Sequence, residues 1–297
     1  MTTAVSIQPT EHKSSTTPIL KVALLDLYNG EKNLGISAIR EIISNYNQAK
    51  HDVSLELSEF DIRQAGKTPS LDFDIYISSG GPGSPYDGVG TEWERDYFRW
   101  VDLIWQHNAS DDVQLGLLPP KHVLFICHSF QMMCRHFNLG KVTERKSQSF
   151  GVFATHPTPA GLDEPLFEGL QDPFYVADFR DWQVIQPDHS KIEELGASIL
   201  AYEKERPHVP LERAVMAIRI SDEMVGVQFH PEADPEGMLI HFQKDNRRQS
   251  IISTHGEEKF NQIMDRLRDP DFLHLTYQTV IPNFLHRAVA ANNSWNN

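Results

Sequence analysis

The segment Val123-Leu-Phe-Ile-Cys-His-Ser-Phe-Gln131 ends an apolar run in a lone cysteine and continues in residues able to open a helix. A thiol at such a turn is placed to act as a nucleophile, because a helix N-terminus and a protonated imidazole both favour the thiolate. The matching imidazole stands about a hundred residues on, in Val225-Gly-Val-Gln-Phe-His-Pro-Glu232. There His230 and Glu232 flank Pro231 in an extended segment. Residues two apart on extended chain point the same way, so the carboxylate can fix the imidazole tautomer. Cys127, His230 and Glu232 therefore read as nucleophile, base and orienter of an amide hydrolysis that passes through an acyl-enzyme. The oxyanion formed on the way needs two donors. The backbone N–H of His128, directly after the nucleophile, supplies one. The turn Ser79-Gly-Gly-Pro-Gly-Ser84 offers Gly81 N–H as the other, and Gly80 lets the backbone approach a substrate closely.

These residues need a scaffold that brings three distant turns to one edge. Ile19 to Leu27 reads as a buried strand, and the helix opening at Gly35 has apolar residues at 36, 39, 42 and 43. Strands follow over Val53–Phe60, Phe73–Ser78 and His122–Ile126, with helices over Glu92–His107 and Phe130–Phe137. Alternation of this kind predicts an α/β domain with a mostly parallel, doubly wound, flavodoxin-like sheet covered by helices on both faces. From Val152 onward short strands such as 197–202 and 214–220 suggest hairpins closing one sheet edge. Beyond Pro235 the pattern predicts helices over 235–246, 256–268 and 271–290, with breaks at Pro270 and Pro282. The expected organisation is a flexible leader over 1–18, one domain over 19–234 and a helical C-terminal extension over 235–297.

Composition narrows the function classes. With 27 Lys and Arg against 41 Asp and Glu, the net charge of −14 opposes attraction to phosphate backbones, so nucleic acid is not an expected partner. The basic run Arg247-Arg-Gln reads as a solvated helix face. No apolar stretch is long enough to span a bilayer, and no membrane partner is expected. The two cysteines, Cys127 and Cys134, lie on one expected helix outside disulfide reach, which fits a reduced, cytoplasmic protein. Fourteen histidines invite a metal, but neither His-Glu-x-x-His nor a paired Cys spacing occurs, so no metal or cofactor is expected. His122, His128 and His136 read as fold residues.

With those motifs in place, the chain resembles the class I glutamine amidotransferase domain, such as the glutaminase domain of GMP synthase. In that family the nucleophile lies in Gly-x-Cys-x-Gly-x-Gln and the base in Gly-x-Gln-Phe-His-Pro-Glu. Gly226 to Glu232 matches the second motif in full, and Ser79-Gly-Gly-Pro82 and Pro165-Leu-Phe-Glu-Gly-Leu170 extend the likeness over about residues 19–234. The resemblance implies hydrolysis of the glutamine side-chain amide, ammonia passing to a synthetase partner in trans, and contact of Gln131 with bound glutamine. Three departures stand out. Phe125 and Ser129 replace the elbow glycines. Asp178-Phe-Arg-Asp-Trp-Gln183 stands where relatives carry a different substrate segment, with Arg180 able to neutralise a substrate carboxylate. No phosphate-binding loop follows Glu232. Two alternatives are therefore carried forward: a stand-alone hydrolase of γ-glutamyl amides or peptides, and a catalytically silent binding or regulatory module.

Overall fold

Ile19 opens a run in which Val22, Ala23, Leu24 and Leu25 are all fully buried, and this run is the pivot of the sheet. The computed structural model describes residues 17–49, 52–206, 208 and 210–293, so most of the expected leader lies outside the described residues. The first half runs β1 (Ile19–Asp26), α1 (Gly35–Gln48), β2 (Ser54–Asp61), β3 (Ile75–Ser78), α2 (Glu92–Asn108), α3 (Asp111–Gln114), β4 (His122–Ile126) and α4 (His128–His136). The middle runs β5 (Lys141–Pro157), α5 (Pro159–Leu162), β6 (Phe174–Ile185), α6 (His189–Glu194), β7 (Ser198–Glu203), β8 (Val215–Arg219) and β9 (Met224–Val227). The described residues then run through α7 (Pro235–Gln243), α8 (Asp245–His255), α9 (Glu257–Arg268) and α10 (Leu275–Asn293).

The nine strands lie in the order β2-β1-β3-β4-β9-β8-β7-β5-β6. The first five are parallel and the rest antiparallel, so the fold is the expected α/β with a parallel half extended by hairpins. β4 and β9 are direct neighbours, with Ile126 paired to Val227, so the chain leaves both strands at one carboxyl edge, bringing Cys127 and the His230 segment together. Two cores sandwich the sheet. One joins α1 and α10 to the inner strands, and the other joins α2 and α4 to the opposite face. α2 buries Tyr97, Trp100, Val101 and Ile104, the i, i+3, i+4, i+7 stripe of an amphipathic helix.

The C-terminal helices differ from the sequence expectation in two places. α8 separates 235–243 from 257–268, and only Ile251 on it is buried, so no apolar period announced it. Pro282 lies inside α10 rather than ending it. The surrounding turns hold the helix through the proline, since Val280, Ile281, Phe284 and Leu285 are all buried in the core shared with α1 and β1. No helix among the described residues is long and apolar enough to cross a membrane.

Candidate active site

Cys127 caps α4 with φ 51° and ψ −98°, a conformation that L-residues adopt only where the surroundings impose it. Its N–H donates to the Val227 carbonyl at 2.8 Å, which ties the elbow to β9. Ser129 supports the turn from within: its Oγ accepts from Ile126 N–H at 2.8 Å and donates to the Ser78 carbonyl at 2.7 Å. A glycine there would leave both groups without that partner. Phe125 is fully buried against Trp100, its ring centroid 6.4 Å away. The close helix approach is met instead at its cross-strand partner Gly226, where a Cβ would stand 2.7 Å from Phe130 Cδ2 and 3.0 Å from Met133 Cε. Both departures from the elbow pattern thus have local structural compensation.

His230 Nδ1 and Glu232 Oε1 lie 2.7 Å apart, and Cys127 stands within electrostatic reach of the imidazole. Burial opposes charge on this ring. The Glu232 carboxylate, the neighbouring Cys127 side chain and the hydrogen bond to Glu232 outweigh it and hold the His230 pKa well above its ordinary value. The second carboxylate oxygen of Glu232 is buried without a hydrogen-bond partner among the described residues. The backbone of His230 is anchored separately, its N–H donating to the Ala177 carbonyl at 2.9 Å.

The turn after β3 closes the opposite side. A Cβ on Gly80 would lie 2.9 Å from His230 Cε1, 3.3 Å from Tyr28 Oη and 3.5 Å from Cys127 Cβ, so Gly80 sits against all three side chains. A Cβ on Gly81 would meet the Leu27 carbonyl oxygen at 2.5 Å. Arg63 Nη1 donates to the Pro82 carbonyl at 2.8 Å and pins the turn. Outside the helices and strands, the N–H groups of Gly81 and His128 donate to no backbone carbonyl among the described residues, as expected of His128 at the start of α4. The His128 side chain has a different character. Burial, reinforced by Arg63 and Arg135, lowers its pKa to about 3, so the ring stays neutral.

Two expected substrate contacts lie elsewhere. Gln131 Nε2 donates to the Trp182 carbonyl and to Gln228 Oε1, both at 3.1 Å, and Gln228 Nε2 in turn faces Cys127 Sγ at 3.8 Å. Gln131 therefore reaches Cys127 through Gln228, and it does not line the cavity. Arg180 is also turned away. Its guanidinium is 1% exposed and bonds Asp178 and Glu203 at 2.8 Å each, because strand alternation on β6 sends 178 and 180 into the sheet's interior face. Phe179, between them, faces the cavity instead.

That cavity has a volume of about 490 Å³ and contains Cys127, His230, Glu232 and Gly81 at its base. One wall is the α1 entrance, with Tyr28, Lys32 and Glu41; the other is aromatic, with Phe150, Phe179 and Phe242. α7 begins three residues after Glu232, capped by Asp234 and started by Pro235, and its Met238, His241 and Phe242 share the face over the site. Burial, then the charges of Glu232 and Cys127, push the Tyr28 phenol well above its ordinary pKa and keep it a donor. Sequence reasoning missed Tyr28, Gln228 and the aromatic wall. Only Gln228 carried a signal, lying two residues before His230 on extended chain. No group of three His, Cys, Asp or Glu side chains suited to a metal occurs among the described residues.

Residues 113–246 match the family model described as glutamine amidotransferase class-I. Solved structures share the fold at low identity. A glutamine amidotransferase from Thermotoga maritima is 14% identical at a TM-score of 0.62, covering 91% of this chain and 98% of its own. One from Methylobacillus flagellatus is 16% identical at 0.57, covering 93% and 96%. The glutaminase domain of a Trypanosoma brucei CTPS with bound acivicin is 12% identical at 0.53, covering 91% and 94%. No curated protein sequence matches the chain.

Proposed function

We propose, from the class-I glutamine amidotransferase match over residues 113–246, that this chain is a cysteine-dependent amidohydrolase cleaving the γ-amide of glutamine or of a γ-glutamyl compound. The observation that carries the reading is the convergence of a strained Cys127 elbow, a His230 ring bonded to Glu232 and in electrostatic reach of Cys127, and Gly81 in one cavity. Cys127 Sγ attacks the amide carbon, and the oxygen's new charge is met by the N–H groups of Gly81 and His128. His230 passes its proton to the leaving nitrogen as the C–N bond breaks, leaving a thioester on Cys127. Water deprotonated by His230 then attacks that thioester, the C–S bond breaks, and the acid is released.

Two uses of this chemistry compete: ammonia delivered from glutamine to an acceptor enzyme in trans, and outright hydrolysis of substituted γ-glutamyl amides. The second is favoured by the cavity, whose size and aromatic wall exceed what release of ammonia requires. Treatment with a glutamine-like diazo-ketone amino acid tests the shared chemistry. Stoichiometric labelling at Cys127, lost in His230→Ala, is expected. Absence of labelling in the intact protein, with no ammonia or amine released from any γ-glutamyl amide, refutes the reading and leaves the silent module.

A further inference from the structure

The leaving-group side of the cavity is built for something larger than ammonia. Phe150 of β5, Phe179 of β6 and Phe242 of α7 are half-buried and meet in one cluster. Ring centroids lie 5.0 Å apart for Phe150 and Phe179, 6.2 Å for Phe150 and Phe242, and 6.3 Å for Phe179 and Phe242. These are the separations of interacting aromatic pairs, so the wall is a preformed apolar surface and not three stray side chains. His255 of α8 stacks on Phe150 at 4.3 Å and braces it. Met238, four residues before Phe242 on α7, adds to the same wall.

Its position relative to the base decides what it touches. The Phe179 ring centroid lies 6.3 Å from that of His230. His230 is the group that must protonate the departing nitrogen, so the wall starts beside the amine half of the substrate. The α1 part of the lining differs in kind: Glu31, Lys32 and Glu41 are exposed charges of both signs, suited to the ammonium and carboxylate of a γ-glutamyl half. Arg180 offers no second cation, being committed to Asp178 and Glu203. Ammonia carries nothing that can reach three rings, whereas a cavity of about 490 Å³ is in the range that encloses a drug-sized ligand.

Building on the reading of this site as a γ-glutamyl amide hydrolase, we infer that its substrates are γ-glutamyl amides of amines bearing an aromatic or similarly bulky apolar group, which seats on Phe150, Phe179 and Phe242. The specificity lies in the amine portion. Hydrolysis adds one water across the C–N bond and yields glutamate and the free apolar amine, with no other reactant. Reactions supplying such a substrate must be γ-glutamylations of an apolar amine.

The test compares γ-glutamyl benzylamide, γ-glutamyl methylamide and glutamine on the full chain, the first two because their amines leave with similar intrinsic ease. We expect kcat/KM for the benzylamide to exceed that for both others by about tenfold or more, the scale of a well-seated apolar group in a pocket. In Phe242→Ala the benzylamide-to-methylamide ratio should fall by about tenfold. Should that variant not fold, product inhibition of the unaltered protein serves instead, benzylamine inhibiting at lower concentration than methylamine. Turnover of glutamine or methylamide as fast as benzylamide, or a ratio unmoved in Phe242→Ala, overturns the aromatic assignment alone. Failure of all three amides together with unlabelled Cys127 overturns the hydrolase reading beneath it.

Discussion

Two neighbouring glycines should respond in opposite ways to the same added methyl group. At Gly80 the backbone does not occupy a positive-φ conformation, so alanine is tolerated by the main chain. Its Cβ would stand 2.9 Å from His230 Cε1, and the ring must retreat about 0.5 Å to reach ordinary contact near 3.4 Å. The imidazole cannot yield freely, because Nδ1 is held by Glu232 at 2.7 Å and the backbone N–H by Ala177 at 2.9 Å. A misplacement of about 1 Å can cost on the order of a hundredfold in rate, so half that distance predicts about a tenfold loss in kcat/KM for Gly80→Ala. The fold should hardly notice. At Gly81 the added Cβ meets the Leu27 carbonyl oxygen at 2.5 Å, a backbone atom that cannot rotate away. Overpacking of this kind costs about 1–3 kcal/mol, which would lower the melting temperature of Gly81→Ala by several degrees. Amide hydrolysis and thermal melting of both variants check the pair. Full activity in Gly80→Ala would refute the placement of His230 over that glycine.

Further outcomes follow from the charges. In Glu232→Gln the strongest influence keeping a proton on His230 is removed, so the alkaline limb of kcat/KM should move to lower pH; an unmoved limb would separate Glu232 from the base. His122 and His128 are buried neutral, lowered to about 4 and about 3 from an ordinary 6.5. The unfolded chain binds the protons that these rings refuse, so their share of stability is intact above pH 6.5 and is lost as pH falls toward 4. At pH 5 each costs about 2 kcal/mol. Thermal melts at pH 7 and pH 5 should show the drop, and His122→Asn should remove about half of it; a pH-independent midpoint would contradict both burials.

The parallel half of the fold was legible because buried parallel strands read as continuous apolar runs, and β1, β3 and β4 do so with little ambiguity. The glycine turn and the two chemical motifs were legible for the same reason, each ending such a run. Other features depended on information that a local pattern does not carry. β5 runs 17 residues with a break in register between Glu144 and Ser149, and its polar exposed stretch hides the strand. Arg180 stands out because its segment aligns with a substrate segment of the family; read as a strand, its alternation points to Phe179 instead. Gln131 stood in a motif, but only tertiary packing inserts Gln228 between it and the sulfur. Tyr28 and Phe242 belong to elements far apart in sequence, and their meeting at one cavity follows from the sheet order together with the packing of α7.

The hydrogen bond from His230 to Ala177 ties a segment that leaves the middle of the sheet to a strand at its edge. Cys127 follows β4, in the interior of the sheet, whereas His230 leans on β6, one of its two edge strands. Edge hairpins open locally at lower free energy than central strands. Fraying of β6 would release the His230 backbone and withdraw Phe179 in one motion, leaving the Cys127 elbow standing. Warming should therefore silence the site before it unfolds the molecule, with amide-exchange protection lost first at Ala177 and its neighbours and only later along β4.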